Sequence, residues 1–467
     1  MLGTFISTLS DWLYTYVLVI LLIAAGLYFT LRTKFVQLRL FAESIRVVGE
    51  RPKDRGAVSS FQALMVSTAS RVGTGNIVGI STAICCGGAG AVFWMWAIAL
   101  IGGASAFVES TLAQIYKRRA PDGSCYGGPA YYIEAALRSR PLAVVFAVAL
   151  VLTYAGGFNM LASYNLQSTF SAYSFYDPAV TPWVIGAVLA AIVGYCVMGG
   201  GKRIIRFTST LVPFMGGLYV LVALVIIALN WRIVPQVLGA IFTGAFDFQA
   251  IFGGFTGSAV MYGIKRGLFS NEAGVGSAPN AAASAEVSHP VKQGLVQMLS
   301  VFIDTLLICS ATAFMLLCSG VAPEEALKGA PYVQSALQTQ FGAVGPIFIT
   351  VAMVLFAFTT LIGNLYYVDN CLSYLVGKIP SKEFMVLFRI DAMALIFLGA
   401  GMEIDLVWNL ADVLMGLMAL INLPVIVLLF RPVRAALADY VAQRRAGKNP
   451  VFRAESAGLQ GKTQCWN

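Results

Sequence analysis

Long uncharged hydrophobic runs alternate along this chain with short polar segments. Residues 72–108, 141–176, 178–201, 207–231 and 329–368 contain no Asp, Glu, Lys or Arg. Each run is long enough for the roughly 20 apolar residues that one membrane crossing requires. The pattern predicts an all-helical, multipass membrane protein with eleven transmembrane helices. These helices are expected at 12–31, 58–86, 89–116, 141–174, 182–199, 207–230, 250–286, 291–319, 343–376, 384–401 and 406–430.

The positive charges indicate how these helices are oriented. Nearly all of the 31 Lys and Arg residues fall in alternate connecting segments, whereas the opposite loops hold only Arg232 and Lys328. Loops enriched in Lys and Arg face the cytoplasm. Residues 1–11 contain neither residue type, while Arg32 and Lys34 follow the first helix, which favours an uncleaved helix over a signal peptide. We therefore expect the N-terminus outside and the C-terminus in the cytoplasm.

Ten helices remain after the first, and they divide into two sets of five with opposite orientation. We predict an extra helix and a basic loop in residues 1–57, a first repeat in 58–231, a second, inverted repeat in 250–430 and a cytoplasmic tail in 431–467. Residues 34–55 mix basic and apolar positions and suit either an interfacial helix or a solvated connector. The last fifteen residues of the polar tail are expected to be partly disordered.

Composition excludes several classes of function. The chain of 467 residues is 58% hydrophobic and 11% charged, which rules out a water-soluble enzyme, a nucleic-acid-binding protein and a disordered scaffold. The eight cysteines form no CxxC pair, so neither a disulfide framework nor a zinc site is expected. His289, the single histidine, lies in a predicted loop where we expect it to be solvated, and it has no plausible partner for a proton relay.

The second predicted helix contains a glycine-rich stretch at membrane depth. Residues 70–76 read SRVGTGN, which has neither the glycine spacing of a nucleotide fingerprint nor the Lys-Ser/Thr pair of a P-loop. The glycines could simply permit close helix packing. Alternatively, the helix is broken, so that freed amides at 73–76 bind a carboxylate while the carbonyls of Ala69 and Val72 face a cation. The clustering of glycine with polar and charged residues favours the break.

The seventh predicted helix contains a second interruption, and its glycines extend from Gly253 to Gly276. Residues 267–279 read GLFSNEAGVGSAP, whose polar groups would be costly in hydrocarbon unless they faced a cavity. A loop at the cytoplasmic end of the helix is the alternative. Glycine interruptions at corresponding places in two halves indicate a transporter's binding site. Lys265 and Arg266 precede this stretch, and the sequence does not identify their acidic partners.

Thr359 and Thr360 lie in an otherwise apolar helix. Hydroxyl oxygens beside freed carbonyls suit sodium, although such hydroxyls commonly bond the carbonyl four residues earlier. Ionisable groups at membrane depth are also candidates for function, unless those near the inner helix ends pair with loop arginines. The acids in or near the predicted helices are Glu109, Asp304, Asp369 and Asp391.

Four stretches together resemble the alanine or glycine:cation symporters, also called sodium:alanine symporters. They are GTGNI at 73–77, GGAGAVFWMW at 87–96, GGPAYY at 127–132 and FSNEAGVGSAP at 269–279. The resemblance implies a multipass inner-membrane protein with the five-plus-five inverted-repeat fold of the neurotransmitter:sodium symporters and one extra helix. It also implies sodium-coupled uptake of a small neutral amino acid, alanine or glycine above all, and no enzymatic activity.

The resemblance further places a sodium site between the first and eighth core helices, with the substrate beside it. The implied sodium ligands are Ala69, Val72, Phe356, Thr359 and Thr360. The candidate substrate-binding residues are Gly73, Thr74, Gly75 and Asn76 from the first interruption, Asn271 and Gly274 from the second, and Asn364. Two departures from the family pattern predict a pocket of different size and polarity. Ala162-Ser163-Tyr164 stands where members often have Gln and Asn two apart, and Asn364 stands where many have Trp.

Sodium-driven symport by alternating access is therefore our hypothesis. Bound sodium adds positive charge beside the break and so favours the carboxylate of a zwitterionic amino acid. The expected partners are a small neutral amino acid, sodium as a transported ion rather than a prosthetic group, and membrane lipids, without nucleic acid or an obligatory protein partner. Serine or glutamine as cargo remains open, and so does proton coupling through Arg71 or an acid such as Asp304. An intramembrane transferase is disfavoured, because it should carry clustered His, Asp and Glu residues.

Overall fold

A computed structural model of the chain describes residues 2–52, 56–121, 123–247 and 258–466, which are almost entirely helical. Seven helices in these residues are long and apolar enough to cross a membrane, and three shorter apolar helices accompany them. The seven are Gly3–Arg32, Gly90–Ile115, Arg140–Ala172, Gly200–Leu229, Pro290–Leu317, Val344–Val376 and Ile404–Leu428. The multipass architecture is thus confirmed, while the count of eleven crossings stays a prediction.

The N-terminal half begins with one rod made of Leu2–Trp12, the π-helical Leu13–Leu18 and Val19–Arg32. Further α-helices are Val36–Arg39, Phe41–Val48, Ser60–Arg71, Ile80–Gly87, Gly90–Ile115, Pro129–Leu137, Arg140–Val151, Phe158–Ser168, Thr181–Val197, Gly200–Leu229 and Val234–Ala245. Two π-helical segments, Gly75–Gly79 and Leu152–Gly157, and the 3₁₀ turn Thr169–Ala172 continue some of these helices. A short antiparallel hairpin, with two residues in each strand, pairs Arg118–Arg119 with Cys125–Tyr126.

The C-terminal half is also helical. Its α-helices are Ala259–Asn271, Pro279–Ser284, Pro290–Val301, Ser310–Leu317, Ala330–Phe341, Val344–Val376, Lys382–Ala400, Ile404–Leu428 and Phe430–Arg445. The π-helical Phe302–Cys309 joins two of them, and short 3₁₀ turns form at Glu325–Leu327 and Ala454–Ala457. The start of the predicted helix 250–286, with Gly253, Gly254 and Gly257, lies outside the described residues. The division into two repeats stays a prediction.

Small residues let the central helices approach each other. Gly90–Ile115 packs against Ala259–Asn271 and Pro290–Val301. A methyl group at Gly267 would lie 2.7 Å from Ile98, and one at Gly294 would lie 2.8 Å from the carbonyl oxygen of Phe107. These contacts place the ends of several helices around one buried layer of polar groups.

The amphipathic segment after the first rod forms two short helices, Val36–Arg39 and Phe41–Val48. Leu38 and Ile45 are more than half exposed, while Val47 is buried. An apolar surface beside basic side chains favours the interfacial helix over the solvated connector.

The polar C-terminal tail is ordered over its described length, contrary to the prediction. The indole of Trp466 is buried and its Nε1–H donates to the carbonyl oxygen of Gln114 at 2.8 Å. His289 is not solvated either: it is fully buried, lies 3.3 Å from Asp439, and contacts the ring of Phe452. Local polarity predicts exposure, but here tertiary packing covers these residues.

Candidate functional site

The second predicted helix is broken at membrane depth. Its first part, Ser60–Arg71, begins with a capping box between Ser59 and Gln62 and ends at Arg71. Val72 leaves the helical conformation at φ −75°, ψ 89°, and the next helical segment begins at Gly75. We call Val72–Thr74 the first break. The opening amides of the segment that follows have no acceptor within their own helix, which makes this end attractive to an anion.

Asn76 holds the first break in place. Its Oδ1 accepts the backbone N–H of Gly73 at 2.8 Å, while its Nδ2 donates to Asp304 Oδ1 at 2.7 Å and to Ser270 Oγ at 2.9 Å. The other oxygen of Asp304 accepts from Ser270 at 2.7 Å and from Thr305 at 2.9 Å. The side chain of Asn76 therefore positions the break by bonding within the protein.

The seventh predicted helix is also broken, after Asn271. Glu272 adopts a left-handed conformation at φ +52°, and Gly274 and Gly276 follow at φ +84° and +92°. Helical structure resumes at Pro279. We call 272–278 the second break. Left-handed backbone is unfavourable for residues with a Cβ, so glycine is needed at two of these positions.

A network of buried polar groups fixes the second break. The backbone N–H of Gly274 donates to Glu109 Oε1 at 3.3 Å, and Asn422 Nδ2 bridges Glu109 Oε2 and the carbonyl oxygen of Gly274. Asn271 caps the turn through its Oδ1, which accepts from the N–H of Ala273 at 3.0 Å. Both breaks are thus built into the packed structure.

The first break meets the helix Val344–Val376 at Thr360. A methyl group at Gly73 would overlap Thr360 Oγ1, and one at Gly363 would lie 2.8 Å from the backbone nitrogen of Ser70. Thr360 Oγ1 is buried without a hydrogen-bond partner among the described residues. Thr359 Oγ1, by contrast, bonds the carbonyl oxygens of Leu355 and Phe356 in its own helix. Thr359 therefore uses its hydroxyl proton within its own helix and can meet a cation only through its oxygen, whereas the Thr360 hydroxyl has no partner among the described residues.

A small cavity lies between the two breaks. Its volume is about 20 Å³, enough for a single water-sized occupant. The lining residues are Ser70, Arg71, Gly73, Thr74, Gly75, Phe158, Leu161, Ala162, Phe269, Glu272 and Thr360. The lining is partly apolar and includes one positive and one negative side chain, Arg71 and Glu272.

The structure brings some of the predicted site residues together and separates others. Gly73, Thr74, Gly75 and Thr360 line the cavity. The other predicted sodium ligands, Ala69, Val72, Phe356 and Thr359, are buried nearby in the same two helices. The remaining predicted substrate residues, Asn76, Asn271, Gly274 and Asn364, are buried but do not line the cavity.

Asn364 instead links two helices. It accepts from Ser70 Oγ at 2.6 Å and donates to Asn159 Oδ1 at 3.0 Å.

Sequence reasoning missed the cavity walls formed by Phe158, Leu161 and Phe269, because apolar residues in a membrane helix carry no signal of which face they occupy.

Three buried carboxylates surround a single arginine in this layer. Arg71 interacts electrostatically with Glu109, Glu272 and Asp304, although none of them is within ion-pair distance among the described residues. These acids therefore do not use loop arginines as partners, whereas Asp369 pairs with Arg389 at 3.1 Å. Burial disfavours the ionised form of each of these acids, so the net charge of the four groups depends on how many of the acids carry a proton.

Lys265 and Arg266 find their partner in Asp412, which sequence reasoning missed. The two cations lie 3.1 Å from the same carboxylate oxygen, and Arg266 also stacks on Trp408 with its guanidinium carbon 4.2 Å from the ring centroid. Asp412 is fully buried. A buried carboxylate shared by two cations fixes the helix that leads into the second break.

A second, much larger cavity of about 1230 Å³ opens among segments predicted to be cytoplasmic. Arg118, Arg140, Lys202 and Arg206 line it, together with Asp369 from the helix that carries Thr360. A wide basic vestibule beside a small central cavity is the arrangement expected of a carrier that opens to one side at a time.

Comparison with known proteins gives a consistent result. A family model described as the sodium:alanine symporter family matches residues 1–454. The amino-acid carrier protein AlsT of Bacillus subtilis is 43% identical over 99% of this chain and 97% of its own length. The probable sodium/glutamine symporter GlnT of the same organism is 43% identical over 98% of this chain and 94% of its own.

Among solved structures, the transporter MhsT in complex with L-phenylalanine superposes with a TM-score of 0.55 at 17% identity, covering 89% of this chain and 94% of MhsT. A likeness at this identity concerns the fold alone, and it confirms the predicted fold class. The family resemblance seen in the sequence motifs is confirmed as well.

Proposed function

This chain belongs to the sodium:alanine symporter family, and from that premise we propose that it imports a small neutral amino acid, alanine or glycine, together with sodium. Sodium-coupled amino acid symport is the activity of the family; sodium is a transported ion, and the protein is a carrier rather than an enzyme. The observation that supports the finer proposal is the meeting of Thr360 with the first break beside a small, partly apolar cavity.

We assign the sodium site to the junction between the first break and the helix Val344–Val376. The buried hydroxyl of Thr360 has no partner there, and the chain leaves the helical conformation at Val72. Oxygen ligands of this kind suit a hard monovalent cation. Ala69, Phe356 and Thr359 complete the proposed site; Thr359 donates its hydroxyl proton within its own helix and offers its oxygen to the ion.

The surrounding charge supports a cation in this layer. Three buried acids and one arginine lie near the cavity, and a bound sodium ion stabilises any of these acids that is ionised. The ion in turn attracts the carboxylate of a zwitterion, and the two ligands bind cooperatively. We place the substrate carboxylate at Gly73–Gly75, with Asn76 positioning the break.

The cavity walls favour a small side chain. Phe158, Leu161, Ala162 and Phe269 offer a methyl group apolar contacts, whereas the amide of glutamine would need hydrogen-bond partners there. Glutamine remains the second candidate, because GlnT is as similar to this chain as AlsT is. Serine is intermediate in polarity and belongs in the same test.

We further propose the direction and topology of transport. The N-terminus lies outside, the tail and the basic vestibule face the cytoplasm, and residues 58–231 and 250–430 act as inverted repeats that rock around the central cavity. A membrane potential contributes about 2.3 kcal/mol per charge per 100 mV, and a tenfold sodium gradient adds about 1.4 kcal/mol. Together these gradients suffice for strong accumulation of a neutral solute.

The test is uptake of radiolabelled alanine, glycine, serine and glutamine into proteoliposomes with an imposed sodium gradient. Accumulation of alanine or glycine above glutamine is expected. No sodium-dependent accumulation of any of them would refute the proposal, and uptake driven by a proton gradient without sodium would favour proton coupling. Thr359→Ala and Thr360→Ala should each raise the sodium concentration for half-maximal transport. Equal sodium dependence in both variants and the wild type would remove these threonines from the site.

A further inference from the structure

Arg71 is a buried arginine with two unsatisfied nitrogen atoms. Its side chain is 2% exposed, and Nη1 donates to the carbonyl oxygen of Gln297 at 3.3 Å. Nε and Nη2 are buried and have no hydrogen-bond partner among the described residues. A buried charged group with unmade hydrogen bonds is costly. The protein tolerates this cost at a residue that ends a helix directly before the first break.

The position of Arg71 puts it at the ligand cavity. The side chain lines the cavity together with Gly73, Thr74 and Thr360. A solute that enters between the breaks therefore meets a guanidinium group as well as the backbone of Thr74 and Gly75, while the N–H of Gly73 already donates to Asn76 Oδ1. Both features attract an anionic group, and they lie next to each other in the sequence.

The two unsatisfied nitrogens form one edge of the guanidinium plane. The N–H of Nε and one N–H of Nη2 point in parallel, and this spacing matches the two oxygens of a carboxylate. Arg266 is a buried arginine that has a carboxylate partner: its Nη1 and Nη2 donate to the two oxygens of Asp412 at 3.3 and 3.1 Å. In the described residues Arg71 has no such acid within reach, although the cavity lies beside it.

We propose that Arg71 binds the carboxylate of the transported amino acid through Nε and Nη2, in a bidentate contact made when the cavity opens. The inference rests on the proposed function and adds a charged side chain to the backbone amides of the first break. It limits the cargo to solutes with a free carboxylate. Amides and esters of amino acids are then rejected, because they offer the free edge of the guanidinium group only one strong acceptor and no negative charge.

Glu272 is the competing source of a carboxylate. It lines the same cavity, and its Oε2 accepts from Ser277 Oγ at 2.6 Å. If the second break moved, this acid rather than the substrate would take the free edge of Arg71. If the substrate carboxylate is the partner, Arg71→Gln weakens the binding of alanine but not of alaninamide, which lacks the carboxylate. If Glu272 is the partner, Arg71→Gln affects both ligands alike, so one experiment separates the two possibilities.

The experiment measures binding to purified full-length protein in sodium chloride, with L-alanine and L-alaninamide as probes. The variants are Arg71→Gln, Arg71→Lys and Glu272→Gln, and the sodium-induced rise in unfolding temperature reports whether each variant is folded and binds sodium. We expect Arg71→Gln to lower the affinity for alanine by at least about thirtyfold, as for other truncated charged pairs. Arg71→Lys keeps the positive charge but not the two parallel N–H groups, so it should lose less of the affinity for alanine.

The affinity for alaninamide, which is already weak, should be unchanged in Arg71→Gln, because the lost contact needs the carboxylate. Alanine binding within about threefold of the wild type would overturn the proposal. An equal loss for alanine and alaninamide would also overturn it, and disappearance of the Arg71→Gln effect in a Glu272→Gln background would assign the partner to Glu272. A wild type that responds to sodium but binds no neutral amino acid refutes the proposed function instead.

Discussion

A methyl group at Gly73 tests whether the first break really packs against Thr360. The added Cβ would overlap Thr360 Oγ1 and lie 3.2 Å from its Cβ and 3.4 Å from its Cγ2. Overpacking of a rigid buried site costs about 1–3 kcal/mol, and we expect Gly73→Ala to lower the free energy of unfolding by that amount. Thr360→Ala removes Oγ1 and Cγ2, so the double variant should recover most of the loss, with a coupling energy of about 0.5–3 kcal/mol.

The assay is thermal unfolding of the detergent-purified protein in sodium chloride and in choline chloride. Sodium at ten times its dissociation constant stabilises the folded wild type by about 1.4 kcal/mol. Gly73→Ala should be less stable and should lose this response, whereas the double variant should regain stability without regaining the response. Gly217→Ala is the matched control: the space around this helical glycine is open, so about 0.5–1 kcal/mol of stabilisation is expected. Equal stability of the Gly73 and Gly217 variants, or no rescue by Thr360→Ala, would refute the reasoning.

Three further changes test other parts of the structure. Asp412→Asn leaves two buried cations without their shared carboxylate and should cost about 3–5 kcal/mol in chemical unfolding; a cost below about 1 kcal/mol would contradict the buried ion pair. Asp304→Asn leaves a single acceptor oxygen where the two oxygens of Asp304 accept from Asn76, Ser270 and Thr305, and it should cost about 1–3 kcal/mol while slowing sodium-driven uptake; wild-type stability and uptake would mean that Asp304 does not position the break. The neighbouring thiol of Cys125, with Lys117 and Arg119 nearby, lowers the pKa of the Cys465 thiol below its ordinary value. Alkylation of Cys465 by iodoacetamide, followed by mass spectrometry, should therefore be half-maximal below about pH 8.5, and a midpoint at or above about 8.5, as for an ordinary cysteine, would contradict this prediction.

Much of this architecture is readable from the sequence, because lipid imposes simple rules on helices. Uncharged runs identify the long helices, and glycine clustered with polar residues identifies both breaks. The helices Val234–Ala245, Ala330–Phe341 and Phe430–Arg445 were missed because they are short or polar and leave little hydropathy signal. Their formation depends on tertiary packing more than on local pattern.

The candidate site was only partly predictable for a related reason. Gly73 and Thr360 can be identified as candidates from the sequence. Gly73 is a glycine within a predicted membrane helix, and Thr360 carries a hydroxyl in an apolar helix. Asp412 and Lys265 look like isolated charges, because their pairing joins residues far apart along the chain. Asn76 fits a ligand-binding role by its position in the sequence, yet in the folded chain its side chain forms hydrogen bonds with Gly73 and Asp304.

The small volume of the central cavity changes the meaning of any affinity measured for this carrier. With about 20 Å³ available, an amino acid has no place until the helices separate, so every binding constant contains the free energy of that separation. If the shut form outnumbers the receptive one by a hundred to one, the apparent affinity is about a hundredfold weaker than that of the receptive pocket. An antibody fragment or a distant substitution that shifts this ratio would therefore change the apparent affinity without touching a residue that meets the cargo.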